Sequence, residues 1–377
     1  MTHPFKVLCF SWNVGSLRMC ESLSDLSSAE RRKGFSNLIL NKPPCIAPDF
    51  FREIMEKIYQ QAPDLVIIST TNENAKGSYF HSDLIPNSLV PMGYKIIQHG
   101  VNKNNSTGTN IPQNREMTLL ETVDKVATHI TVAATQRVAS QMYNKPSFQR
   151  IFGSSMLFDF KCPAGEQNAL VYLFHHRLEG TFVFIVCDFD IGEPRDSQKS
   201  TECLDGLLKK LTEEVDERGS ISHIFIMGDL NYDIDPTNVN RIQSIFEPSA
   251  VSKMEKIREL VKYDKLRMTI RSQTNRLQDF KEGISDMGPL FYPTWKLIRG
   301  RNMDCSPPFS TASISRSCFD SDMISAQGIG WHDRILYKDN FLAQNPKVTQ
   351  CVEYNRIDIM NMRYSTHAGV WGLYYIS

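Results

Sequence analysis

Five short apolar runs decide what this chain can become: Phe5 to Trp12, Leu65 to Ser69, Ala169 to Phe174, Phe182 to Cys187 and His223 to Met227. Each is bounded by turn residues and too short for a buried helix, so each reads as a strand covered on both faces. Helical patterns lie between them. In PDFFREIMEKIYQQ, Phe50 or Phe51, Ile54 and Ile58 recur at helical spacing behind Asp49, a candidate N-cap. In TECLDGLLKKLTEEVDERG, Leu204, Leu207, Leu208, Leu211 and Val215 form one stripe, and Gly219 supplies a C-terminal stop. Strands interleaved with helices predict an α/β (α+β) chain built as stacked layers of sheet and helix.

The 377 residues contain no internal repeat, low-complexity tract or linker. A single domain over 1–377 is therefore expected, with loop insertions at 20–48, 100–114 and 300–321. The last is long for a compact domain, which marks it as functional or mobile and as a candidate contact for a protein partner.

Charge narrows the function classes. Lys+Arg and Asp+Glu both total 42, so no global field draws in nucleic acid or an anionic bilayer, and any phosphate site must be local. The nine cysteines lack Cys-x-x-Cys spacing, which argues against structural zinc and reads as a set of reduced thiols. The N-terminal MTHPFKVLCFSW has no signal-peptide pattern, and no run reaches the roughly 18 apolar residues of a membrane span. A cytoplasmic protein follows, with any membrane contact peripheral.

The chemistry gathers where apolar runs end. MGDLNYDID, residues 227–235, crowds acids and amides behind the run Ile221 to Met227. A carboxylate just past a buried strand can take a proton from water or hold a hard cation, and a neighbouring amide can orient that water. A plain turn uses the same residues for local hydrogen bonds. Asn13 closes the first run in FSWNVGS, Lys296 ends YPTWK, Asp333 and Arg334 precede an apolar run in GWHDRILYK, and His367 precedes the last one in YSTHAGVWG. Singly, these are a turn asparagine, a solvated lysine, an ion pair at a strand start and a packed histidine.

In this order, Trp12-Asn13, GDLNY (228–232), FKEG (280–283), PTWK (293–296), WHDRILYK (331–338) and THAGV (366–370) resemble the inositol polyphosphate 5-phosphatases of the endonuclease/exonuclease/phosphatase superfamily. The resemblance runs from Phe5 to about Tyr375. It implies a four-layer α/β/β/α sandwich of two packed β-sheets flanked by helices, with the active site at one end. It also implies Asn13 beside a magnesium ion, Asp229 positioning or activating the attacking water, Asn231 beside it, and His367 on the scissile phosphate. Lys296 falls where the family binds inositol phosphate groups, and His332, Asp333 and Arg334 line the substrate wall. The implied ligand is an inositol phosphate or a phosphoinositide head group, with Mg2+ as cofactor.

Several positions depart from the pattern. The family's Gln-Glu, whose glutamate is the main magnesium ligand, reads Thr71-Asn72, with Glu73 one residue late. Strand alternation points Glu73 away from the metal unless a bulge re-aims it, so the expected metal donors are Asn13 with Glu73 or Asn72. Asp188 in VCDFD replaces a histidine facing the phosphate. Like charges roughly 4 Å apart at an effective dielectric near 20 repel by about 4 kcal/mol. The Asp-His pair near the C-terminus has become Thr366-His367, and a basic loop has become GEQN (165–168). Two functions are therefore expected as alternatives: magnesium-dependent hydrolysis of a phosphate monoester, or a pseudophosphatase serving as a phosphoinositide- or protein-binding module. The substitutions weigh toward the module. A nuclease of the same superfamily would need basic surface to track a groove, and the balanced charge gives no sign of it.

Overall fold

The computed structural model describes residues 4–13, 18–19, 45–46, 48–72, 84–103, 127–144, 157–161, 168–189, 197–214, 221–235, 237, 242, 244–245, 251–272, 275–295, 329–340, 347–357 and 367–377. Two mixed sheets carry the fold. The first orders its strands Thr349–Arg356, Val370–Ile376, Phe5–Asn13, Leu65–Asn72, Ala127–Thr135 and Tyr94–Lys103. The second runs Lys281–Glu282, Asp333–Asp339, His223–Asp229, Gly180–Asp188, Asn168–His176 and Met142–Tyr143, with Leu157–Lys161 also on Asn168–His176. Two sheets with flanking helices are the sandwich the sequence led one to expect.

Among the described strands, each sheet has one parallel pair. Phe5–Asn13 lies parallel to Leu65–Asn72, and Gly180–Asp188 lies parallel to His223–Asp229. Parallel neighbours need a long crossover, and a helix supplies it in both cases: Pro48–Gln61 in the first, Ser197–Glu214 in the second. The first helix starts at Pro48, so Asp49 sits inside its first turn and is not the residue before it. Proline fits a first turn because its missing N–H would have had no partner there. Gly219 lies outside the described residues.

The apolar runs are covered on both faces because the sheets have helices outside and each other inside. Val183, Ile185 and Cys187 pack with Leu204, Leu207, Leu208 and Leu211 of the crossover helix. The alternating Phe182, Phe184 and Val186 turn to the first sheet. Phe5 meets Phe182 at 5.7 Å between ring centres, and Phe225 meets Tyr374 at 5.1 Å, closing the seam. Of the expected insertions, 100–103 continues the strand Tyr94–Lys103 and Cys45–Ile46 pairs with Arg18–Met19. The stretch 300–321 lies outside the described residues.

Cys9, Cys187 and Cys351 are free and buried, whereas Cys203 is disulfide-bonded. Reduced thiols throughout were expected, and that expectation does not hold. The thiol pattern thus no longer argues for a reducing compartment. No helix among the described residues is long and apolar enough to cross a membrane.

One glycine is required by the way the second sheet ends. Gly228 has φ +129°, and a Cβ built there would lie 1.9 Å from the Cys187 carbonyl oxygen on the adjacent strand. Neither the backbone angle nor that oxygen can yield cheaply. Gly228→Ala is expected to cost at least about 1–3 kcal/mol, read as a lower urea midpoint at unchanged slope.

Candidate active site

Polar residues collect at the C-terminal ends of the two parallel pairs, where open sheets leave room for a ligand. Register does the aligning. In the second sheet Asp188 is level with Asp229, and Asp229 with Asp333, so three carboxylates stand abreast on neighbouring strands. In the first sheet Asn13 is level with Thr71.

Asp229 is buried at the meeting of the sheets. The Asn13 Nδ2 donates to its Oδ2 at 2.9 Å, and the Asn231 backbone N–H donates to its Oδ1 at 3.1 Å. The nearest nitrogens of the two histidines are only slightly farther: His332 Nδ1 is 3.8 Å from Oδ1, and His367 Nδ1 is 3.7 Å from Oδ2. Asn231 has φ +56°, a left-handed backbone that asparagine tolerates better than most residues. Its Nδ2 donates to the Phe189 carbonyl, which leaves Oδ1 without a hydrogen bond among the described residues.

Asp333 is the hinge of the arrangement. Its Oδ1 accepts from the Asn13 backbone N–H at 2.8 Å, and its Oδ2 pairs with His367 Nδ1 at 2.8 Å. Burial pushes its carboxyl up from the ordinary 3.8 to about 6, against the pull of His367. The His367 carbonyl accepts from Trp12 Nε1 at 3.1 Å. His332 is fixed just as firmly: its Nε2 meets Asp233 Oδ1 at 2.8 Å, and its ring stacks on Trp295 with centres 4.4 Å apart. Thr294 staples the group together. Its Oγ1 accepts from the backbone N–H groups of His332 and Asp333, and its carbonyl accepts from the Ala368 N–H at 2.8 Å.

Asn13, Asp229, Asn231, Asp333 and His367 are thus brought together, with His332 against them and Asp188 on the adjacent strand end, half-buried. Arg334 is placed elsewhere. It is fully buried, and its guanidinium forks onto Asp264 and Glu282. Lys296, Glu73 and Thr366 lie outside the described residues. Asn72 is described as backbone only, level with Ala127. Paired residues of neighbouring strands share a face, so Thr71 is the residue on Asn13's side, and its Oγ1 is buried without a hydrogen bond among the described residues.

The histidine's carboxylate was sought in the wrong place. Thr366 stands where an acid was expected beside His367, yet Asp333 supplies one from another strand. Asp233, Thr294 and Trp295 were missed as supports of the pocket. The only sequence signal for them was their place beside Asp229 and Lys296 in motifs already noted. As oxygen donors for a divalent ion the described residues offer the Asp229 carboxylate, the Asn13 amide and the Thr71 hydroxyl, a set a hard cation accepts.

Comparison with known proteins fits this geometry. The structure of a Cimex nitrophorin ferrous NO complex superposes with a TM-score of 0.59 at 15% identity, covering 100% of each chain. The inositol polyphosphate 5-phosphatase domain of SPsynaptojanin, in complex with inositol (1,4)-bisphosphate and calcium ion, gives 0.51 at 13% identity over 98% of this chain and 84% of that one. At such identities the likeness is one of fold. No curated protein matches the chain. A family described as Endonuclease/Exonuclease/phosphatase family 2 matches residues 10–373. With that match spanning nearly every strand that builds the pocket, the chain belongs to the endonuclease/exonuclease/phosphatase family 2.

Proposed function

We propose that the protein hydrolyses a phosphate monoester of an inositol phosphate or phosphoinositide head group, by direct attack of water. One observation carries this reading: Asn13, Asp229, Asn231, Asp333 and His367 come from distant segments, yet are joined by hydrogen bonds into one buried polar cluster. Asp229 takes the proton of the attacking water, with its two oxygens aimed by the Asn13 amide and the Asn231 N–H. Asn231 Oδ1 accepts from that same water. His367, its Nδ1 held by Asp333, turns Nε2 toward the phosphoryl oxygens and donates to them when protonated. The paired carboxylate fixes the orientation of the imidazole by accepting from Nδ1.

A divalent ion would be held by Asp229 with Asn13 and Thr71 beside it, and it would neutralise charge on the phosphoryl group. Magnesium is the ion proposed. Positioning and charge stabilisation supply most of the acceleration in such displacements, so a site without a nucleophilic side chain is adequate.

One observation favours the binding module instead: Asp188 adds a third carboxylate level with Asp229 and Asp333, beside an anionic ester. Phosphate release decides between them. With soluble and lipid inositol phosphates, release is expected with magnesium and is lost on chelation. Binding of the same compounds without release under any divalent ion gives the module. Efficient nicking of plasmid DNA would move the chain to the nucleases.

A further inference from the structure

We infer that Asp229, His332 and His367 form a binding site for a borderline first-row divalent ion of the zinc class. One ligand atom from each lies within 4.8 Å of the others, and all three residues are buried. Each histidine is held by a carboxylate at 2.8 Å: His332 through Nε2 by Asp233, and His367 through Nδ1 by Asp333, the same nitrogen that stands 3.7 Å from Asp229 Oδ2. Outer carboxylates of this kind fix the tautomer and ring orientation of metal-binding imidazoles and raise their basicity. The carboxylates accept, so the engaged nitrogens carry the protons. His332 Nδ1 and His367 Nε2 then carry the lone pairs.

Ligands about 2.1 Å from a tetrahedral ion stand roughly 3.4 Å apart. His332 Nδ1 is 3.8 Å from Asp229 Oδ1, so the ion asks for a shift of a few tenths of an ångström there. The Trp295 stack holds the His332 ring in that orientation. Donor chemistry selects the ion. Imidazole suits zinc and its neighbours, whereas magnesium prefers an all-oxygen shell. Two histidines and one carboxylate with a fourth position left to water or ligand is the donor count of catalytic zinc sites.

This site goes beyond the hydrolase reading and does not need it, since an inactive module would carry the same donors. Occupancy would withdraw Asp229 and His367 from the proton-transfer roles given above, so loading and hydrolysis are separate readouts.

The test uses the full chain stripped of metal, titrated with zinc chloride and with magnesium chloride, and loaded with cobalt(II) for its visible spectrum. One zinc per chain is expected, not displaced by magnesium, with cobalt bands free of thiolate charge transfer. His332→Gln should weaken zinc binding about a hundredfold or more, and Asp233→Asn about 10- to 100-fold, each compared at a temperature where thermal unfolding shows the metal-free variant to be folded. Asp233→Asn keeps the side-chain shape at a buried position, so it carries the test alone if His332→Gln does not fold. Absence of zinc uptake by the folded protein overturns the site. So does uptake that both variants leave intact, which assigns the ion to cysteines. Neither measurement involves phosphate release, so its failure and that of the hydrolase reading can be told apart.

Discussion

Arg334→Met should cost about 3–5 kcal/mol of stability, the largest loss expected from any single replacement in the second sheet. The guanidinium has no exposure and forms two forked pairs. Its Nε and Nη2 donate to Glu282 at 2.9 and 2.5 Å, and its Nη1 and Nη2 to Asp264 at 2.8 and 2.6 Å. Tyr354 adds a hydroxyl donor to Glu282 at 2.9 Å. Burial alone would lower the arginine's pKa, but the two acids beside it hold it well above its ordinary value. Removing it leaves two carboxylates buried without a cation, a cost far above the net value of the ion pairs themselves. Arg334→Lys should recover only part, because an ammonium cannot fork onto both acids at once. Chemical denaturation checks the stability, and substrate titration checks the role. The folded fraction of either variant should keep its KM. A raised KM at full folding would restore Arg334 to the substrate wall.

Much of this was legible along the chain, and the boundary of legibility is physical. Strand runs such as Phe182 to Cys187 announce themselves because covering on both faces makes them apolar without interruption. Asn13, Asp229 and His367 each follow or precede such a run within a residue or two, a weak signal singly, and it was the ordered set of motifs that joined them. What the sequence withheld depends on register. Nothing in THAGV says that the carboxylate for His367 comes from Asp333, because that pairing follows from strands Val370–Ile376 and Asp333–Asp339 lying in facing sheets. The same holds for Arg334: Asp264 and Glu282 are 70 and 52 residues away, so an arginine next to a site aspartate read as part of the site. Successive strand residues face opposite ways, and that alternation sends Asp333 into the pocket and Arg334 out of it. His332 shows a different limit. Its motif placed it on the substrate side, but only the ring geometry brings it within reach of Asp229 and Asp233.

Asp229→Asn should lower kcat for phosphate release about 10²- to 10⁴-fold, the usual contribution of a positioned base, while leaving KM within a few-fold. The substitution changes charge and donor pattern with almost no change in shape. Both Asp229 oxygens now accept, one from Asn13 and one from the Asn231 N–H. An asparagine there must turn its own amide toward one of those donors, so the water loses its proton acceptor and one of the groups that aimed it. Folding should survive. Asp229 stands level with Asp188 and Asp333, and neutralising it removes repulsion among three abreast carboxylates. The melting temperature of the variant is accordingly expected to match or exceed that of the parent, which separates lost chemistry from lost structure. His367→Asn offers the complementary case: it removes the phosphoryl donor but leaves the Asp229 acceptor and its two aiming bonds, so its loss should fall on kcat and persist at saturating magnesium. If Asp229→Asn instead releases phosphate at near the parental rate, the proton leaves the water by some other group, and the cluster of amides, acid and imidazole has to be read as a binding pocket.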